Sequence, residues 1–401
     1  MRILITNTGP WGTGSFTVAK AIMEEFLEMG HEVVLFFPDE KFPSKELDYY
    51  YSRKDIFKIW KFPLQKNGIC LTSFPLIIPD PHPRNSVGRT FLQLSKEELE
   101  FYFNEFRTAI SKVIEDFQPD VIECQHIWAF DHIIQEFQIP FACAAHHSDQ
   151  LGFLYDERMR PYVLESSQKA KYIFAVSNFV KKEVLSLYKL PKERVVTLPN
   201  GYDKKTFHPM HMKREEVLKE LDLEIPKEAK IVSFCGKISK TKGIDILLLA
   251  NKLLDPAKQI HFLIFGAGDI HTALDADKEY SFKNVHFLGH QPSEILAKVH
   301  NIANCSVMPS RSEGFGIASL EAMGCGTPVI VTHCGGPEKF AVGKVIEKEN
   351  PRQLAEAIEE LCFLPDKEMG ELKEKALEKS YEYSWHKISK QRLRYYHKMI
   401  A

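Results

Sequence analysis

Apolar positions in the first forty residues form short runs that alternate with helical spacing. Ile3 to Thr6 reads as a strand, Gly9 to Gly14 as a glycine-containing turn, Phe16 to Met29 as a helix, and Glu32 to Phe37 as a second strand. That is half of a Rossmann unit. Further apolar runs at Val121-Ile122, Phe141 to Ala144, Tyr172 to Val176 and Val195 to Leu198, separated by helix-length segments, predict a parallel sheet with helical crossovers. The rhythm then restarts with strand Lys230 to Cys235, helix Ile244 to Leu254, strand Ile260 to Phe265, the turn Gly266-Ala267-Gly268 and strand Val285 to Leu288. A second doubly wound domain is the simplest account. Between the two, Asp203 to Pro226 holds turn residues, prolines and a charged helix-like stretch, and reads as a hinge with the boundary near residue 205.

Residues 40 to 105 break this rhythm with Tyr49-Tyr50-Tyr51, Trp60 and the proline-rich Pro75 to Pro83, and read as an elaborated loop region. Its aromatics serve either recognition or packing onto the domain. Ile388 to Ile400, after Trp385, has the spacing of an amphipathic helix.

With 401 residues the chain exceeds the size at which one core keeps growing, which agrees with two domains. A formal net charge of -2, with both signs interleaved, leaves no electrostatic footprint for nucleic acid. Short basic pairs such as Lys181-Lys182 read as solvated helix faces. The eight cysteines are scattered, with no C-x-x-C pair and no zinc spacing, and fit free thiols in a reducing compartment. The chain opens directly on a strand, and no apolar run approaches the roughly 18 residues of a membrane span. A cytoplasmic protein is expected, with peripheral contact at the inner face of a membrane left open.

The chemistry concentrates in Pro309-Ser310-Arg311-Ser312-Glu313-Gly314-Phe315-Gly316-Ile317, continuing through Glu321 to Ile330. The segment reads as strand end, glycine loop, short helix, turn and strand. Gly314 and Gly316 let backbone N–H groups approach a ligand, and the helix that opens after them offers its positive dipole end to an anion such as a diphosphate. Glu313 and Glu321 bracket this loop, separated by roughly 12 Å at most by helical rise. One carboxylate can accept from hydroxyls of a hexose and the other from a ribose. The plainer alternative is a helix-capping Glu313 and a salt-bridged Glu321.

This segment resembles the E-x7-E signature of the family-four retaining glycosyltransferases of GT-B fold. Similar positions follow in order: Gly236-Lys237 with Lys242-Gly243, Gly266-Ala267-Gly268, Asn284-Val285 to Gly289, Gly335-Gly336-Pro337-Glu338, and in the first half Val176-Ser177 and Pro199 to Asp203. The resemblance covers most of the chain. It implies two facing Rossmann-like domains with parallel sheets and an inter-domain cleft: residues 1–205 on the acceptor side, completed by the C-terminal helix 385–401, and residues 206–384 on the nucleotide-sugar side. Glu313, His146, Lys242 and Lys237 are the implied catalytic residues. Gly12, Gly14, Lys237, Lys242, Gly314, Phe315, Gly316, Ile317 and Glu321 are the implied donor-binding residues.

Lys237 and Lys242 follow a strand at its C-terminal edge, where ligands gather in doubly wound sheets, and two cations there would neutralise a departing diphosphate. Lys237 stands where the family usually carries Arg, a point charge in place of a bidentate fork. His146, in Ala144-Ala145-His146-His147-Ser148-Asp149, is similar to the family's histidine at the edge of the sugar site; His147 is the alternative by one register, and a structural role is open to either. Gly12 and Gly14 resemble the family's N-terminal glycine loop. Gly9-x-x-Gly12-x-Gly14 lacks the G-x-G-x-x-G order, so a bound NAD is not expected and a dehydrogenase is disfavoured. Asp275-Ala276-Asp277 spells D-x-D but lies in a polar stretch, and is read as coincidence; no metal and no cofactor is expected. The expected reaction carries a hexose from a nucleotide-diphosphate donor, UDP-sugar favoured over GDP- or ADP-sugar, to a hydroxyl of a glycan, lipid or small metabolite. A silent nucleotide-sugar binder and a sugar-nucleotide epimerase are the competing readings.

Overall fold

The computed structural model describes residues 1–401 apart from 41–44, 67–68, 72–75 and 80–88. The chain divides into two compact units, Met1–Asn200 with Trp385–Ala401, and Gly201–Ser384.

The first unit carries β1 (Arg2–Asn7), β2 (Glu32–Asp39) and β3 (Phe57–Lys61). Four short strands follow: β4 (Leu64–Lys66) with β5 (Ile69–Leu71), and β6 (Leu76–Ile77) with β7 (Arg89–Thr90). The main sheet resumes with β8 (Val121–Gln125), β9 (Phe141–Ala145), β10 (Tyr172–Ala175) and β11 (Val195–Thr197). Its order is β11-β10-β9-β8-β1-β2-β3, and every pairing is parallel. The chain grows outward in one direction from β1 and in the other from β8, so the order reverses between these neighbours, and in doubly wound sheets ligands gather beyond the C-terminal ends of strands at such a reversal. All five residues of β8 and of β9 are buried, as expected for central parallel strands covered on both faces.

Part of the segment 40–105 is regular rather than loop. It supplies β3, whose Trp60 is buried and packs on Tyr102, Phe106 and Phe130. Tyr50 packs edge-on against Phe16 and Phe57. These aromatics serve packing, and the β-branched and aromatic residues of Phe-Lys-Ile-Trp-Lys in β3 suit a strand although their order does not alternate. Pro75, Pro81 and Pro83 lie outside the described residues. The helix Trp385–Ile400 belongs to this unit: its Tyr396 packs on Phe26, and its Arg392 lies over the Phe174 ring.

The second unit carries β12 (Lys230–Cys235), β13 (Ile260–Phe265), β14 (Val285–Phe287), β15 (Cys305–Met308), β16 (Val329–Thr332) and β17 (Gly343–Ile346). The order is β14-β13-β12-β15-β16-β17, again all parallel, with its reversal between β12 and β15. On one face the helices Ile244–Leu253 and Pro351–Cys362 bury Leu247, Leu354 and Ile358 against Val232 and Phe262. On the other, Val217 and Leu218 of the helix Arg214–Glu220 and Val299 of the helix Ser293–Ile302 cover Ile231 and Leu263. The charged stretch expected in a hinge therefore contributes to this core, because its two apolar residues share one helical face.

Candidate functional site

At the reversal in the second sheet, the segment leaving β12 and the segment leaving β15 are joined to each other. The turn after β12 ends in Gly243 at φ +71°, and a Cβ there would lie 1.9 Å from the Pro309 carbonyl oxygen. Only glycine permits both the backbone angle and the contact. Arg311 adds two bonds across the same seam, from its N–H to the Thr241 carbonyl at 2.8 Å and from Nη1 to the Lys240 carbonyl. Its guanidinium grips buried Asp245 in a bidentate pair at 2.7 and 2.8 Å. This clamp delivers Lys242 to Glu313, Nζ to Oε1 2.5 Å, and Ser310 Oγ donates to the same oxygen at 3.0 Å. Glu313 is therefore a buried, ion-paired carboxylate in the loop, neither a helix cap nor free.

Three residues on, Gly316 at φ +91° opens the helix Ile317–Gly324, which has no side-chain cap and no acidic residue in its first turn. Ser319 N–H turns back to the Gly316 carbonyl at 3.2 Å, and the N–H groups ahead of it have no earlier turn to accept them. Gly314 and Phe315 shape the approach: a Cβ on Gly336 would meet the Phe315 carbonyl oxygen at 2.8 Å and that of Gly314 at 2.9 Å. The Phe315 side chain packs on Phe340 and Tyr383, so this residue can offer a ligand its backbone only. Ile317, the first helical residue, is half-buried. Glu321, one turn further, has no side-chain partner among the described residues, and burial, with the Asp203 charge adding, pushes its carboxyl up to about 7. Lys237 is half-buried in the turn whose backbone is fixed by Gly236 N–H to the Phe265 carbonyl and Ile238 N–H to the Ala267 carbonyl, both 2.9 Å. Asp275 of the D-x-D triplet is ion-paired with Lys240 and Lys278. Among the described residues no group of three metal-ligating side chains is gathered.

The first sheet has its own cluster at the β1/β8 reversal. After β1, Asn7 Nδ2 donates to the Gly9 carbonyl at 2.7 Å and Thr13 caps the helix Gly14–Glu28. Gly12 sits at φ +76°, and a Cβ on Gly12 or Gly14 would meet nothing within 4 Å, so the turn leaves open space at both. Asp149, buried, ties the ends of β8 and β9 together by accepting the N–H of Ile127 at 3.0 Å and of His146 at 2.9 Å. His146 Nε2 meets Gln125 Oε1 at 2.8 Å, and burial, with His126 and Arg392 adding, holds its imidazole well below the ordinary histidine value. His147, at φ +81°, is directed elsewhere: its Nδ1 pairs with Glu183 at 2.8 Å and its ring packs on Phe179. Behind Gln125 runs a buried polar chain the sequence reading missed. Gln125 Nε2 donates to Glu123 Oε1 at 2.6 Å, and Arg392 and Tyr396 of the C-terminal helix donate to the same carboxylate. A glutamate inside the apolar strand Val121–Gln125 was the one local signal.

Two family models match, Glycosyltransferase Family 4 over residues 12–206 and Glycosyl transferases group 1 over residues 219–379. An uncharacterised glycosyltransferase of Methanocaldococcus jannaschii is 28% identical over 69% of this chain and 75% of its own length. A D-inositol 3-phosphate glycosyltransferase of Corynebacterium urealyticum is 30% identical over 52% of each chain, about half the relative's length. Among solved structures, sucrose-phosphate synthase from Thermosynechococcus elongatus superposes with a TM-score of 0.69 at 18% identity, covering 100% of this chain and 99% of that one. The Anabaena protein Alr3699/HepE, in complex with UDP and glucose, gives 0.70 at 14% identity, with 98% of each chain covered. These structures share the fold. No helix among the described residues is long and apolar enough to cross a membrane. With both sheets wound as the resemblance implied and the two models together spanning nearly its whole length, this chain belongs to the group 1, family 4 glycosyltransferases of GT-B fold.

Proposed function

We propose that this glycosyltransferase moves a hexose-type sugar from a nucleotide-diphosphate donor to an acceptor hydroxyl, with retained configuration and without a metal ion. One observation carries the reading: an uncapped helix N-terminus lies in sequence between the Lys242–Glu313 pair and a desolvated Glu321 that has no side-chain partner among the described residues. The helix end suits the diphosphate. Glu321 accepts from the ribose hydroxyls, which repays its desolvation. Glu313 accepts from hydroxyls of the transferred sugar, its orientation held by Ser310 and Lys242. UDP is the favoured nucleotide because the Anabaena structural neighbour is seen with UDP and with UDP-glucose.

In the reaction the bond from the anomeric carbon to the diphosphate breaks while the acceptor oxygen bonds to that carbon on the same face. The acceptor proton passes to an oxygen of the leaving phosphate. Lys237, Lys242 and the helix end at Gly316 stabilise the charge that develops on the leaving group. His146 orients a hydroxyl of the sugar or the acceptor. Glycans, lipids and small metabolites are the acceptor classes, and phosphorylated polyols head the small-metabolite set because of the inositol-phosphate relatives.

The test is thermal and chemical unfolding with UDP-, GDP- and ADP-sugars, followed by product mass spectrometry with candidate acceptors. A hundredfold excess over Kd should add about 2.7 kcal/mol, and NAD nothing comparable. A donor that binds but is neither hydrolysed nor transferred would instead identify a silent binder.

A further inference from the structure

The buried polar chain of the first unit has a direction that settles a proton position. Arg392 carries only donors, so Glu123 meets it as an acceptor, and the Tyr396 hydroxyl donates to the second carboxylate oxygen. The Gln125 amide must therefore turn its NH2 to Glu123, at 2.6 Å, which leaves its only oxygen facing His146 Nε2 at 2.8 Å. A carbonyl oxygen can only accept, so Nε2 bears the hydrogen. Nδ1 is then the bare nitrogen, and it has no partner among the described residues, on a ring that is half-buried at the end of β9. The His126 ring stands edge-on to it, centroids 5.0 Å apart.

We infer that Gln125 is a positioning residue that locks His146 in its Nε2–H tautomer, so that the imidazole offers substrates a hydrogen-bond acceptor. Such a nitrogen takes a hydroxyl group and turns away a group that can only accept. The inference rests on the proposed role of His146 and specifies the chemistry it recognises.

The experiment is nitrogen-15 NMR of histidine side chains in the full chain at pH 7.5, with the His146 signals assigned by their loss in His146→Gln. The wild type should give the neutral Nε2–H pattern, and an Nδ1–H pattern overturns the inference. Gln125→Met removes the oxygen at similar volume: the single tautomer should be lost and kcat should fall about tenfold with donor KM within about twofold. An unchanged tautomer in that variant overturns the inference as well. Glu123→Gln, whose amide oxygen Arg392 still holds, should keep the tautomer even where Gln125→Met does not fold; its loss there would sink the orientation argument. The wild-type spectrum needs no substrate, so failure to bind nucleotide sugars, which defeats the proposed function, is read separately from a wrong tautomer.

Discussion

At the scale of single residues, the two glutamates of the E-x7-E block occupy opposite electrostatic states. Glu313 is ion-paired, whereas Glu321 has no side-chain partner among the described residues and its carboxyl is pushed up to about 7. A carboxyl raised in the folded state binds more protons than the unfolded chain between the ordinary glutamate value and about 7, so stability falls as pH rises through that window. Glu321→Gln should therefore match the wild type near pH 5 and exceed it above pH 7.5, by on the order of 1 kcal/mol after solvent screening, in urea midpoints. The same variant should bind nucleotide about tenfold more weakly above pH 7.5, where the wild-type carboxylate is charged. Glu313→Gln should chiefly depress kcat, and equal effects of both variants on KM and kcat would refute the division of roles. The pairing of Glu313 with Lys242 was not legible, because the partners stand 71 positions apart.

At the scale of elements, the site is held by the seam between the turn after β12 and the loop after β15. Gly243→Ala forces a Cβ to 1.9 Å from a carbonyl oxygen in a left-handed backbone, and should cost about 1–3 kcal/mol and lower kcat as Lys242 leaves Glu313. Arg311→Ala strands buried Asp245 and should cost about 3–5 kcal/mol. Gly14 supplies the contrast, since a Cβ there meets nothing and its φ is ordinary. Gly14→Ala should leave stability within about 0.5 kcal/mol while weakening transfer; unaltered kinetics would mean that no ligand approaches this turn. The glycines were readable as a pattern because each lies in a short turn after a strand. The Arg311–Asp245 clamp was not, although Arg311 stands only two positions before Glu313, because Asp245 lies 66 positions away.

At the scale of the whole molecule, the chain returns to its first unit at the end: Trp385–Ile400 lays Arg392 and Tyr396 on Glu123 of the central strand β8. Breaking such a buried pair leaves an uncompensated charge in the core. Arg392→Ala should lower the stability of the full chain by about 3–5 kcal/mol in urea unfolding, with Glu123→Ala similarly damaging. The double change Glu123→Met with Arg392→Met should recover part of that loss, and a double variant as unstable as the sum of the singles would count against a mutual pair.

Amino-acid order alone determined the alternation of strands and helices, the restart near Lys230, the glycine turns and the E-x7-E block, because each is written in neighbours a few positions apart. Only tertiary structure decided which polar groups pair. The bonds from Lys242 to Glu313, Arg311 to Asp245 and Arg392 to Glu123 span 71, 66 and 269 positions. No periodicity encodes such distances. Likewise His147 is drawn to Glu183 and His146 to Gln125 through the placement of separate strands and helices, and that placement follows from burying apolar faces together.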